Sequence, residues 1–205
     1  MKAVKRSLIL LLCTSMVWLS GCVKIWQKNL DIKTYMLEAD REAGVMEKPL
    51  AERLWIESVH VLPPYNIRNL VLRESDVEFS TSYYTELLMA PAENFRSGFY
   101  TWFAASGMFN DVSIVSRSGM SHSLAVTVME FYGDTVDEQA VLKIKVTLFD
   151  EKTNGLRVLL SKDYTQSVAI DETSAEELLR AFNRGLTQIL TDAEQDVVKA
   201  LKQGL

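Results

Sequence analysis

Between residues 140 and 148 the chain shows its cleanest alternation: Ala140, Leu142, Ile144, Val146 and Leu148 are apolar, opposed by Lys143, Lys145 and Thr147. Side chains on a strand point alternately to its two faces, so this run reads as a strand with one face on a core and the other in water. Its apolar face needs a cover, and the C-terminal segment supplies one. Leu178, Phe182, Leu186, Ile189, Ala193, Val197 and Leu201 recur every three or four residues, the period of a single helical stripe. Ser174 and Glu177 ahead of that stripe form a capping box.

The rest of the chain fits the same two layers. Residues 124–132 and 156–170 read as strands flanking the alternating run. Asn154-Gly155 suits the positive backbone angles of a tight hairpin turn, so an antiparallel meander is expected. Residues 111–116 make a further strand. Residues 53–62 place Leu54, Ile56, Ser58, His60 and Leu62 on one side and Trp55, Glu57, Val59 and Val61 on the other, until Pro63-Pro64 ends the run. Residues 34–38, around Tyr35-Met36-Leu37, form the first strand, and a charged loop containing Gly44 leads to Pro49. Residues 69–73 and 77–81 read as two short edge strands or a hairpin around Glu74-Ser75-Asp76. Pro91 suits a first helical turn, Glu93 complements its dipole, and the helix runs to Gly107 with Phe95, Phe99, Trp102, Phe103 and Ser106 on its inner face. The expected fold is α/β (α+β), a mostly antiparallel sheet covered by two helices on one face.

The N-terminus carries a different kind of information. Lys2, Lys5 and Arg6 precede a short apolar stretch over residues 7–18, followed by Leu19-Ser20-Gly21-Cys22. That is the layout of a lipoprotein signal peptide, too short for an ordinary spanning helix. Residues 1–21 are expected to be removed and Cys22 to take up the acyl lipid. Residues 22–33 then form a tether, in which Ile25, Trp26 and Leu30 pack on the domain or at the headgroups, and residues 34–205 form one periplasmic domain. Val23 follows the cysteine where an aspartate would retain the protein in the inner membrane, so the expected location is the periplasmic face of the outer membrane. The leader contains Cys13, and Cys22 is the only other cysteine, so disulfides are excluded. Losing the leader's three basic residues takes the formal net charge from −5 to −8, which argues against nucleic acid as a partner.

Catalytic and metal-binding patterns are weak. His60 sits in a strand and His122 in a polar turn between Ser121 and Ser123; a solvated turn and a partly buried strand residue describe them better than a nucleophile with its base. Asp134, Asp137 and Glu138 cluster at a hairpin tip without EF-hand spacing. Arg73 with Glu74 and Asp76 resembles an acid/base set that lacks a pocket. No cofactor, metal or enzymatic activity is expected beyond the covalent acyl group. What remains are aromatic, apolar and basic residues assigned to loops: Tyr65, Asn66, Arg68 and Arg73 after the double proline, and Tyr83, Tyr84, Leu87, Leu88 and Met89 before the first helix. These residue types favour interfaces, so they are the candidate partner-binding set; covering the sheet edge is the competing role.

Taken in order, these segments resemble the ABC-type transport auxiliary lipoproteins, which include the PqiC-like lipoproteins of MCE (mammalian cell entry) transport systems. The resemblance rests on the lipobox at Cys22, Tyr35-Met36-Leu37, Val59-His60-Val61-Leu62-Pro63-Pro64-Tyr65 and Leu70-Val71-Leu72-Arg73. It continues through Ala90-Pro91-Ala92-Glu93, Ala104-Ala105-Ser106-Gly107-Met108-Phe109, Val128-Met129-Glu130-Phe131-Tyr132, Leu148-Phe149-Asp150 and Thr153-Asn154-Gly155. It implies a fold similar to the TolB N-terminal domain. It also implies a lipid-anchored subunit of an intermembrane lipid transport system that partners an MCE-domain protein and ABC transporter components. A ring-shaped partner would favour a homo-oligomer. The alternative class is an outer-membrane assembly or secretion accessory lipoprotein, and a third is a carrier holding a lipid tail between helices and sheet.

Overall fold

The computed structural model describes residues 32–152, 156–172 and 174–204. The lipobox, Cys22 and most of the expected tether lie outside the described residues, as does the Asn154-Gly155 turn. The element order is β1 (Lys33–Tyr35), β2 (Ala51–Ile56), β3 (His60–Val61), β4 (Asn69–Arg73), β5 (Phe79–Leu87), α1 (Pro91–Ser106), β6 (Phe109–Ser113), β7 (His122–Asp134), β8 (Gln139–Asp150), β9 (Arg157–Ala169) and α2 (Ala175–Gly204).

The sheet is organised on β7. One edge of β7 pairs antiparallel with β8 along its whole length, from His122↔Asp150 to Asp134↔Gln139. β8 pairs in turn with β9, from Gln139↔Ala169 to Asp150↔Arg157, which is the expected meander. The other edge of β7 is shared in succession by three short parallel strands: β2 at residues 122–124, β3 at 127–128 and β4 at 133–134. β6 extends the sheet beyond β2, and β5 and then β1 extend it beyond β4. The long ladders are antiparallel, and the fold class is the expected α+β sheet with two helices.

Both helices lie on one face. The inward side of β8, Ala140 to Leu148 at alternate positions, is buried as its pattern requires. Phe131 of β7 meets Phe95 of α1 edge to face at 5.4 Å and Phe182 of α2 at 4.6 Å, so one ring joins both helices to the sheet. Each such fully buried side chain contributes about 1.5–3 kcal/mol. Ser174 Oγ accepts the Glu177 N–H (3.1 Å), the first half of the capping box. The Glu177 carboxylate turns instead to Arg184 (2.8 Å). α1 ends at Gly107, whose φ of 69° is left-handed. A side chain there would also strike Val45 and the Met46 carbonyl.

Three segments depart from the sequence reading. The run over residues 53–62 is two strands. Leu54 pairs with His122 but His60 pairs with Thr127, so the partner of residue n moves from n+68 to n+67 and the inserted residue flips the alternation. Val59 and Val61 therefore face the core, and His60 is exposed rather than partly buried. The second strand of the β4–β5 pair is also longer than 77–81, reaching Leu87. Finally, the first strand stops at Tyr35 instead of residue 38, because the chain leaves the sheet there.

That departing segment, expected as a charged loop, is a strap wedged between the helices. Leu37 is buried, and both its backbone groups pair with the side-chain amide of Asn94 on α1 (3.0 and 3.3 Å). The Glu38 and Asp40 N–H groups donate to Asn183 Oδ1 and Thr187 Oγ1 of α2, each at 3.0 Å. Arg41 then forks onto both oxygens of Glu194, at 3.0 and 2.8 Å, and lies over the Trp102 ring. Trp102 Nε1 donates to the same carboxylate (2.7 Å), and Met46 N–H reaches the Ser106 carbonyl at the end of α1 (2.9 Å). The Arg41 and Glu194 side chains are only 8 and 13% exposed.

A paired ion that loses its partner in such a site keeps its desolvation cost. Arg41→Ala is expected to destabilise the fold by about 3 kcal/mol in chemical denaturation. Arg41→Met with Glu194→Gln, which keeps an acceptor for Trp102, should recover part of that loss; a double variant no better than Arg41→Ala would show that the stranded carboxylate is not the cause.

Candidate interaction surfaces

The candidate partner-binding residues divide once the strands are in place. Leu87 is fully buried, a core residue of β5 rather than a loop contact. Arg68 is a structural clamp: its Nε donates to the Leu87 carbonyl, whose residue returns its N–H to the Arg68 carbonyl, both at 2.7 Å. Arg73 is likewise engaged internally. Its guanidinium pairs with Asp134 at 2.5 Å and Asp137 at 2.7 Å. Asn66 is exposed and Met89 half-buried.

Those contacts give the acidic hairpin tip a role other than cation binding. Asp134 is 1% exposed, and its Oδ1 accepts the N–H groups of Val136 (3.1 Å) and Asp137 (3.2 Å). Thr135 caps the same corner on the Arg73 carbonyl (2.8 Å) and Glu74 (3.0 Å). Glu74, one member of the supposed acid/base set, is thereby drawn into the β4–β7 junction. Burial pushes the Asp134 carboxyl up, but Arg73 and the two N–H groups outweigh it and hold it below the usual aspartate range.

The serine–histidine neighbours are also resolved by geometry. His122 is buried at the start of β7 against Phe109, with ring centres 6.0 Å apart, rather than in a solvated turn. Burial lowers its pKa, against the opposing charge of Asp150. Ser121 Oγ lies 2.9 Å from His122 Nδ1, yet the hydroxyl donates to the Arg53 carbonyl (2.8 Å) and accepts the Arg53 N–H (2.9 Å). With its hydrogen committed to a carbonyl, the hydroxyl is an acceptor toward the ring, the reverse of what an activated nucleophile needs.

Two exposed surfaces remain. The first is on the open face of the sheet, away from the helices, where Tyr132 is sandwiched by Tyr65 (5.9 Å, stacked) and Phe79 (5.7 Å, edge to face). Phe79 is 47% exposed and Tyr65 half-buried. Burial, then Glu130, raises the Tyr65 and Tyr132 phenols, so both stay neutral. Sequence reasoning placed Tyr65 in the candidate set but missed Tyr132 and Phe79. The signal was Tyr132's place directly after Phe131 in one strand, which sends the two rings to opposite faces.

The second surface is the β1–β5 edge. The register between β4 and β5 shifts so that Ser82 to Thr85 stand opposite the single residue Leu70. The crowded strand bulges, leaving Tyr83 and Tyr84 66 and 54% exposed with their rings edge to face at 5.4 Å. Leu88 follows at 55% exposure, its N–H on the Tyr35 carbonyl.

The layer between the helices and the sheet is filled around its central aromatic rings. Phe99 and Phe182 are wholly packed. A cleft of about 130 Å³ lies between β4 and the first turn of α2, lined by Leu70, Leu72, Ile170 and Leu178 with Asp134 and Ser174. Larger depressions flank the strap, one of about 340 Å³ against α1 beside Asn94, Gly98 and Trp102 and one of about 570 Å³ against α2 beside Asn183 and Thr187, and the second is lined mainly by polar and charged side chains. A small-molecule site ordinarily needs roughly 300 Å³ or more, so the cleft under α2 is too small for one. No helix among the described residues is long and apolar enough to cross a membrane.

Known proteins add the fold. No family model and no curated protein matches the chain. A DUF330-family protein of Xanthomonas campestris superposes with a TM-score of 0.72 at 16% identity, over 84% of this chain and 98% of its own. A second solved structure, described as an uncharacterized protein, superposes with a TM-score of 0.66 at 16% identity, over 81 and 98%. PelC of Paraburkholderia phytofirmans, a dodecamer, reaches a TM-score of 0.41 at 14% identity over 73% of this chain and 95% of its own. The chain thus has the fold seen in the DUF330-family structure.

The depressed Asp134 carboxyl makes a pH prediction. A group whose folded pKa lies below its unfolded value contributes stability above the unfolded pKa, and loses it as pH falls through the folded pKa. Asp134→Asn is therefore expected to lower Tm at pH 7, with the gap to wild type narrowing as the pH falls below the usual aspartate range near 4. A gap that stays constant from pH 7 to pH 2 would remove Asp134 from the acid response.

Proposed function

We propose that this chain is an outer-membrane-anchored periplasmic lipoprotein subunit of an MCE/ABC-type intermembrane lipid transport system, which docks the transport complex to the outer membrane. Two supports come from sequence, the lipobox ending at Cys22 and the family resemblance along the mature chain. The structural observation that supports the docking role is the partly exposed Tyr65–Tyr132–Phe79 cluster, on the sheet face opposite the helices. An exposed aromatic cluster on a rigid support is what a protein partner buries as an anchor. A filled core with an apolar surface favours docking over carriage of a lipid tail.

In this reading the protein works without catalysis, metal or cofactor. The acyl group on Cys22 supplies attachment, at about 0.8 kcal/mol per buried methylene. The open sheet face meets an MCE-domain protein associated with ABC transporter components, and copies of this subunit can meet repeated copies of the partner's surface.

The test is a mild-detergent pull-down of the full-length lipoprotein from its native envelope, with mass spectrometry of the recovered proteins. Wild type is expected to recover an MCE-domain protein. Phe79→Ser should reduce that recovery about tenfold, as loss of an interface anchor does, while lowering Tm only by the few degrees that losing one half-exposed aromatic pair costs. Recovery of a β-barrel or secretion partner with no MCE component would assign the protein to the assembly or secretion class instead.

A further inference from the structure

We propose that the β1–β5 edge is a membrane-contact surface, with Ile32, Tyr83, Tyr84 and Leu88 resting in the headgroup region of the bilayer that holds the acyl chains of Cys22. The proposal rests on the lipid-anchor reading above and adds the orientation of the domain against the bilayer.

The argument begins with where the chain comes from. β1 pairs parallel with β5, Lys33 opposite Thr85 and Tyr35 opposite Leu87. One step back in that register, Ile32 falls abreast of Tyr84, and both are about half exposed. The segment from the anchor therefore joins the domain beside the exposed tyrosines. Ten residues separate Cys22 from Ile32, and even fully extended they reach no more than about 35 Å. The β1–β5 edge is the part of the domain that the anchor holds nearest to the lipid.

The chemistry of the edge suits that position. Tyrosine has an apolar ring and a polar tip, and it concentrates at membrane–water interfaces for that reason. Here two tyrosines are adjacent, edge to face, and raised from the strand by a bulge. Ile32 and Leu88 add aliphatic surface, at 46 and 55% exposure. Lys33 and Arg68 flank them with side chains 62 and 45% exposed, each within 3.6 Å of a carboxylate, Glu176 and Glu86, so the edge is apolar and aromatic between paired charges. The strap behind β1, clamped to α2 through Asn183, Thr187 and Glu194 and to α1 through Asn94 and the Ser106 carbonyl, gives the edge a fixed orientation on the domain.

The measurement uses the chain's own cysteine content. With Cys22 acylated, Tyr84→Cys introduces the one free thiol of the mature protein, available for an environment-sensitive fluorophore. Val115→Cys, at a site 91% exposed beyond β6 on the other side of the sheet, is the control. Each full-length, acylated protein is placed on phosphatidylethanolamine/phosphatidylglycerol vesicles, with and without a headgroup-nitroxide lipid. Contact at the interface is expected to blue-shift the label at 84 and quench it by about half, while the label at 115 keeps its aqueous spectrum. Equal, weak quenching at both positions in protein that floats with the vesicles would overturn the proposal and leave the anchor intact. Protein whose mass lacks acyl chains and which does not float would instead overturn the anchor reading. Protection of the label in native envelopes but not on protein-free vesicles would assign the edge to a protein partner and also overturn the proposal.

Discussion

The structure depends on β7 having two occupied edges of different kinds. Its β8 edge is one antiparallel ladder running the length of the strand, broken only by a bulge between Val128 and Glu130, which a hairpin can form locally. Its other edge is divided among β2, β3 and β4, three strands from a single stretch of chain that touch it in succession. Parallel pairing needs distant chain to return in register, so each of these short strands must gain most of its stability from burial. Leu54 and Ile56 on β2, Val61 on β3 and Leu70 on β4 supply that burial against the layer built around Phe131. The shifts of register between successive strands are the cost of fitting three pieces to one edge. They also explain why the polar and aromatic residues near those joints fall where they do.

The strap couples this sheet to the helices. α1 and α2 make few direct contacts and are held together through residues 37–46, whose backbone N–H groups and Arg41 are answered from both sides. A loop left between two helices would strand these backbone groups away from water, so Asn94, Asn183 and Thr187 are structural partners, although each looks like an ordinary surface residue in the sequence. Glu194 has the same character: it accepts from Arg41 and Trp102 together, and an acidic residue on the polar side of a helical stripe gives no hint of that.

The elements with strong periodicity were legible. α2, β8 and the inner face of α1 could be read almost residue by residue, because burial on one face imposes a period that composition cannot hide. The strap could not, since its contacts are made by backbone and by polar side chains distant in sequence. The single strand expected over 53–62 failed for a different reason: one inserted residue keeps a plausible alternation on paper while exchanging the two faces, which is how His60 and Val61 changed places. The surface set was legible in part. Tyr65, Tyr83, Tyr84 and Leu88 are exposed or half-exposed as interface residues should be, whereas Leu87, Arg68 and Arg73 have the same residue chemistry but spend it inside the fold. Only the partner of each side chain separates the two groups, and a partner many residues away is invisible to local pattern.

The two exposed surfaces also differ in a way that assigns them different work. In the Tyr65–Tyr132–Phe79 cluster the central ring, Tyr132, sits within the long β7–β8 ladder, and Tyr65 from the β3–β4 loop and Phe79 from the start of β5 pack on its two sides. Tyr83 and Tyr84 sit on a bulge at a sheet edge next to the N-terminal segment, where exact spacing is not maintained by neighbours on both sides. A fluid lipid surface requires no fixed spacing, only amphipathic side chains at the right depth. The proposed role, a protein tied to one membrane and serving a complex that reaches it from another, would use both kinds of surface. Separation follows from the topology: β5 is bordered by β1 on the anchor side and by β4 on the other, and β4 leads directly to β7 and the aromatic face. In the proposed reading, attachment and docking are joined through these adjacent strands, so an orientation set at the β1–β5 edge would be carried to the aromatic face by hydrogen-bonded sheet.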